Sequence, residues 1–160
     1  MYKFLSNNII FIIFIICSLI LSSAYFIEFV LGYEPCNLCF FERIPYFFVI
    51  IFSLFFLFFK KHKKIILIFI FISFILSSLL AFYHIGIEQS FFDESFVCKI
   101  SNFNPNFSAN DLLKELEGNN KSCKQVDLKI FGLSLATINF FISLTFSAFL
   151  LYIIKKNEKN

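Results

Sequence analysis

The stretch IPYFFVIIFSLFFLFFKKHKKIILIFIFISFILSSLLAFYHIGI, residues 44–87, decides the fold. It consists of two apolar runs, Ile44–Phe59 and Ile65–Ile87, joined by Lys60-Lys61-His62-Lys63-Lys64. Neither run shows the alternation of a half-buried strand or the wide polar face of a soluble helix. A helix needs about 20 apolar residues to cross the hydrocarbon core of a bilayer. Two such runs five residues apart make a tight transmembrane hairpin. Four lysines in the turn put that turn on the cytoplasmic side, because positive charge is retained there. The lysine cluster is therefore a topology signal and a lipid-headgroup contact, not a nucleic-acid site.

Two further apolar runs flank the hairpin, Ile9–Ile27 and Ile130–Ile154. The expected spans are about 9–27, 40–59, 65–87 and 130–154. Four spans in 160 residues leave no room for a second folded domain, so residues 1–160 form a single membrane domain. Lys3 at one end and Lys155, Lys156 and Lys159 at the other place both termini in the cytoplasm. The short connection 28–39 and the long loop 88–129 then lie outside. The long loop carries five lysines and seven acidic residues, a balance compatible with export, so the net charge of +3 reflects the cytoplasmic lysines. Lys3, an apolar core and Ser22-Ser23-Ala24 have the order of parts of a cleaved signal. The run continues to Ile27, longer than such a signal requires, and is read as a retained span. The fold class is thus an all-α membrane protein, a four-transmembrane-helix bundle. The 28 phenylalanines are read as compositional bias.

Topology sorts the five cysteines. Cys17 sits mid-span, where a thiol behaves as a small apolar group. Cys36, Cys39, Cys98 and Cys123 all fall in the two outer segments, where disulfides are the default state. Cys36-Asn37-Leu38-Cys39 is a C-x-x-C, a spacing that serves redox chemistry or metals. No second C-x-x-C accompanies it, so zinc is set aside, and heme handling lacks ligands too. A bridge within C-x-x-C closes a tiny loop and makes a poor staple, which favours a bridge that opens and closes.

The sequence places Cys39 to be reactive. A helix starting near Pro35 puts Cys36, Cys39 and Arg43 on one stripe. Helix N-terminal N–H groups and a guanidinium both favour a thiolate. Pro45 should kink that helix or delay its start. Arg43 stands at the outer edge of the hydrocarbon, either snorkelling or meeting the polar head of a membrane-dissolved ligand. His84, near the outer end of the third span, either hydrogen-bonds such a ligand or satisfies a neighbouring helix. Asn139 reads as a helix-packing group. In the long loop, residues 108–118 form an amphipathic segment that lies on the outer leaflet or packs on protein.

Three stretches resemble one family in order along nearly the whole chain. Glu34-Pro35-Cys36-Asn37-Leu38-Cys39-Phe40-Phe41-Glu42-Arg43-Ile44-Pro45 is similar to the P-C-x-x-C-x-x-[EQ]-R-x-P stretch of the DsbB disulfide bond formation proteins. Tyr83-His84-Ile85-Gly86-Ile87-Glu88, followed by Cys98, resembles that family's third-span exit and outer loop. Phe131–Asn139, shortly after Cys123, resembles the start of its fourth span. The resemblance implies a thiol oxidase of the bacterial inner membrane with its redox cysteines on the periplasmic side. It implies a Cys36–Cys39 disulfide facing ubiquinone or menaquinone, with Cys39 the sulfur that meets the quinone. It implies a second disulfide, Cys98–Cys123, that a DsbA-like thioredoxin-fold partner reduces at Cys98 and that exchanges with Cys36 through Cys123. Arg43 and His84 would then be quinone-binding residues. The chain departs from the family's habit in having no Trp and in placing Lys124 after the last cysteine, which bears on partner docking. Two other readings compete: an oxidase dedicated to one specialised partner, and a non-enzymatic bundle whose outer disulfides are only staples.

Overall fold

The computed structural model describes residues 2–33, 35–93, 98, 123–124, 128–130 and 132–158. The apolar runs are helical: α1 is Tyr2–Phe29, α2 Asn37–Phe58, α3 Lys63–Glu88 and α4 Leu135–Glu158. Within them, Asn8–Phe29, Asn37–Phe58, Lys60–Glu88 and Leu135–Lys156 are long and apolar enough to cross a membrane. The lysine hairpin is a single 3-10 turn, Lys60–His62, that runs directly into α3. α3 packs along both α2 and α4, and α1 lies on α2.

Two local features depart from the sequence expectation. α2 starts at Asn37, not near Pro35, because Cys36 takes the N-cap position with extended backbone and its sulfur accepts the Cys39 N–H. The helix then runs on through Pro45, which is buried. The fourth helix begins at Leu135, not near 130, because Lys129–Ile130 and Leu133–Ser134 form a two-stranded hairpin. Gly132 turns that hairpin at φ +82°, a backbone state glycine adopts without a Cβ clash. Ser134 then stops the hairpin and starts the helix, its Oγ accepting the Thr137 N–H at 3.2 Å. The amphipathic segment at 108–118 lies outside the described residues.

The surface is inverted relative to a water-soluble protein. Leu19, Phe58 and Leu79 are each at least 60% exposed, while Ser53, Ser77, Ser143 and Ser147 are buried between helices. Lipid is as apolar as leucine, so helix association rests on close packing and interhelical hydrogen bonds, each contributing about 0.6–2 kcal/mol. The core joins all four helices through Ile13, Val49, Ile70, Phe74 and Leu150, with Cys17 fully enclosed among them. A second, smaller cluster lies apart from it and contains Leu38, Ile87, Cys98 and Cys123, with Cys36 and Tyr83 against it.

Candidate functional site

Cys36 is the hub of the site. Because it caps α2 instead of lying inside it, its sulfur faces the first-turn amides and the end of α3 together. Cys36 Sγ is 2.9 Å from Cys39 Sγ, 3.3 Å from the Cys39 amide nitrogen and 3.6 Å from His84 Nε2. Cys36 and Cys39 stand as two thiols, close enough to share a proton. Cys98 and Cys123 are joined by a disulfide with a Cα–Cα separation of 5.8 Å, in the cluster that Cys36 touches. Cys36, Cys39, Cys98 and Cys123 therefore meet at one end of the bundle.

The hydrogen bond from Cys39, aided by His84, holds the Cys36 thiol well below the usual thiol range despite its burial. From the sequence, that stabilisation is expected at Cys39. The fold redirects it, because the N-cap sulfur collects the donors and the Arg43 guanidinium is engaged elsewhere. A depressed pKa keeps the thiolate populated as pH falls, so its reactivity should persist where an ordinary thiol is protonated. In the reduced protein, alkylation of Cys36 by iodoacetamide is expected to proceed at nearly equal rates at pH 6 and pH 8. A thiol with an ordinary pKa slows nearly a hundredfold over those two pH units. Peptide mass spectrometry checks this, and a hundredfold loss at pH 6 contradicts it.

Behind Cys36 runs a buried polar chain that crosses three helices. His84 Nδ1 meets Glu42 Oε1 at 2.7 Å, and Asn139 Nδ2 donates to Glu42 Oε2 at 2.7 Å. Tyr46 Oη donates to Asn139 Oδ1 and lies 3.0 Å from Ser143 Oγ, which donates to Ser77 Oγ at 2.9 Å. Glu42 is only 7% exposed, yet both of its oxygens are used. A carboxylate at this depth persists only with such partners. His84 thus satisfies a neighbouring helix, one of the two sequence alternatives, and turns its second nitrogen to Cys36. Asn139 packs helices as expected, and also anchors Glu42.

Arg43 does not snorkel. Its Nη1 donates to Glu28 of α1, and its guanidinium lies 4.9 Å from the centre of the Tyr25 ring. These contacts fix the guanidinium beside a cavity of about 370 Å³ lined by Cys36, Cys39, Glu42, Arg43, His84 and Glu88. Ile20, Leu21, Ile27, Ile138 and Ile142 complete an apolar wall. The sequence reading passed over Glu28, Tyr25 and any role for Glu42. Glu28 and Tyr25 sit within one helical turn of each other at the C-terminal end of α1, a spacing that two aromatic-rich spans make unremarkable. Only the register of α1 against α2 gives it meaning.

The cysteine arrangement, Glu42 and Arg43 after it and the four spans can be compared with known proteins. A family model described as "Disulfide bond formation protein DsbB" matches residues 6–153. The chain belongs to the DsbB family. A curated relative, "Uncharacterized protein RP370" of Rickettsia prowazekii (strain Madrid E), is 30% identical over 132 residues, covering 81% of this chain and 77% of that protein. As a DsbB-family chain, this is a multi-pass membrane protein of disulfide bond formation, with oxidoreductase chemistry at cysteine. The four-helix membrane fold expected from the sequence is the one observed.

Proposed function

We propose that this DsbB-family protein oxidises a periplasmic thioredoxin-fold dithiol oxidase, similar to DsbA, and passes the electrons to ubiquinone or menaquinone in the bacterial inner membrane. The observation that carries this reading is Cys36, placed between Cys39, His84 and the Cys98–Cys123 cluster at the edge of an apolar cavity. In the proposed sequence, a partner thiolate attacks Cys98 Sγ, the Cys98–Cys123 bond breaks, and Cys123 leaves as a thiolate. The partner's second thiol resolves the mixed disulfide, so the partner leaves oxidised. Cys123 then attacks Cys36 of a Cys36–Cys39 disulfide, Cys39 leaves, and Cys98 closes the outer bridge again. The dithiol at Cys36 and Cys39 now holds two electrons and two protons, which pass to the quinone and give the hydroquinone. Exchange of this kind needs a thiolate and an open approach to sulfur, and Cys98 is buried in the structure, so it has to be uncovered for the partner to reach it.

The chain's own groups fit a quinone. Pockets for small ligands span about 300–1,000 Å³ and are largely apolar with a few placed polar groups, as this cavity is. Bound there, a quinone supplies a two-electron sink strong enough to regenerate an oxidant of about −120 mV, where each 30 mV uphill costs about 1.4 kcal/mol. Arg43 and His84 would orient its polar head. His84 Nε2 would hold or release the proton of Cys36, with Glu42 fixing the ring by its bond to Nδ1. Cys39, on the first turn of α2 and lining the cavity, would be the sulfur facing the ring.

Arg43→Lys should raise the KM for quinone about tenfold with kcat little changed. A lysine ammonium cannot both pair with Glu28 and keep a planar face over Tyr25. Steady-state kinetics at varied quinone checks this, and an unchanged KM contradicts it. The reading as a whole is tested with a reduced thioredoxin-fold oxidase, intact or with its resolving cysteine replaced by serine so that its one thiolate opens the Cys98–Cys123 bridge and stays attached. A mixed disulfide at Cys98 is expected with the serine form, together with catalytic, quinone-dependent oxidation of the intact partner. Absence of both outcomes favours bridges that serve only as staples. Capture of one specialised protein from the periplasm, with no activity toward a general oxidase, favours a dedicated partner.

A further inference from the structure

We infer that the dithiol form of this site binds one thiophilic divalent cation of the zinc class through Cys36 Sγ, Cys39 Sγ and His84 Nε2, and that the disulfide form does not. The sequence set metals aside because a lone C-x-x-C supplies two ligands. Folding brings a third, from a residue 45 positions beyond Cys39: the donor atoms of Cys36, Cys39 and His84 all lie within 4.8 Å of one another. Two ligands on a tetrahedral zinc, with bonds of about 2.0–2.3 Å, stand about 3.5–3.8 Å apart. Cys36 and His84 already meet that spacing at 3.6 Å, and Cys39 needs to withdraw from Cys36 by less than about 1 Å from its present 2.9 Å.

A second observation points the same way. Metal-ligating histidines are oriented by a carboxylate on their other ring nitrogen, and His84 Nδ1 has one in Glu42 Oε1 at 2.7 Å. Glu42 is in turn held by Asn139, so the outer shell is built before any ion arrives. Three protein ligands leave the fourth position open to the cavity, where Glu88 Oε1 stands 3.8 Å from His84 Nε2. Binding releases the Cys39 thiol proton to solvent and leaves both sulfurs as thiolates. No electrons move, and the couple is withdrawn from exchange until the ion leaves. The site is therefore a point at which zinc-class cations would arrest turnover reversibly.

The test uses the full-length chain in lipid nanodiscs, free of quinone and partner, so its outcome is independent of the proposed electron path. Cys98→Ser/Cys123→Ser protein is reduced with a phosphine and titrated with Cd²⁺, whose thiolate charge-transfer absorption is read directly. One ion per chain is expected, with no band after the Cys36–Cys39 couple has been oxidised. Glu42→Gln should weaken binding about 10- to 100-fold, and His84→Ala at least as much. If the double-serine protein does not fold, the reduced wild type is compared with Cys36→Ser, and the wild type should bind one ion more. Equal absorption in the reduced and oxidised states, or an affinity indifferent to His84→Ala, overturns the proposal.

Discussion

Replacing Cys39 by serine is expected to lower quinone-dependent dithiol oxidation by at least about 10³-fold, the scale on which enzymes lose activity with their nucleophile. A hydroxyl cannot form or open a disulfide, and no other thiol can substitute. Cys17 is fully buried in the core, and Cys98 and Cys123 are already bridged. The helices should be unaffected, because the N-cap bond uses the backbone N–H of residue 39 and not its side chain. Cys17→Ala provides the contrast: it should keep its activity, at a cost to stability of roughly 1 kcal/mol for the small cavity left. Assays of both variants with purified protein and added quinone check the pair. Full activity in Cys39→Ser protein would remove the C-x-x-C from the chemistry.

Glu42→Leu should destabilise the folded protein by about 2–5 kcal/mol and abolish turnover with it. The substitution removes the acceptor of two buried donors, on His84 and Asn139, and each orphaned group costs about 1–3 kcal/mol. Three helices share that carboxylate, so no single helix can turn to satisfy its own donor. Glu42→Gln separates the structural from the chemical part. Its one amide oxygen can accept from Asn139 while its NH₂ faces His84 Nδ1, which forces the ring to carry its proton on Nε2, toward Cys36. Gln should thus recover most of the stability while raising the pH at which Cys36 is alkylated at half its maximal rate. Unfolding in a bilayer mimetic, set beside alkylation at varied pH, reads the two effects. A Leu variant as stable as wild type would show that the polar chain contributes no net stability.

The membrane fold was legible because each span is written as one uninterrupted run, and backbone satisfaction in lipid leaves a helix as the only outcome. What eluded the sequence lies at the ends of those runs and between them. Ile130 belongs to the apolar run before α4, yet Gly132 and Ser134 place it in a hairpin, a local choice that hydropathy does not encode. Cys36 reads as helical from Pro35, yet takes the cap, and that one-residue change moves the stabilised sulfur from Cys39 to Cys36. The C-x-x-C and Arg43 announced themselves by residue type. Glu42, Glu28 and Tyr25 did not, because their meaning depends on which residue of another helix stands opposite. The residues that hold His84 and Arg43 in place come from α1, α2 and α4, far apart in the chain.

The central claim is that Cys36 and Cys39 cycle between dithiol and disulfide against a membrane quinone. It is tested most directly by adding ubiquinone or menaquinone anaerobically to the reduced, purified protein and counting thiols by mass spectrometry alongside hydroquinone. Cys36 and Cys39 are expected to be lost together as free thiols, one hydroquinone appearing for each pair. Thiols that persist at Cys36 and Cys39 in the presence of either quinone would contradict it.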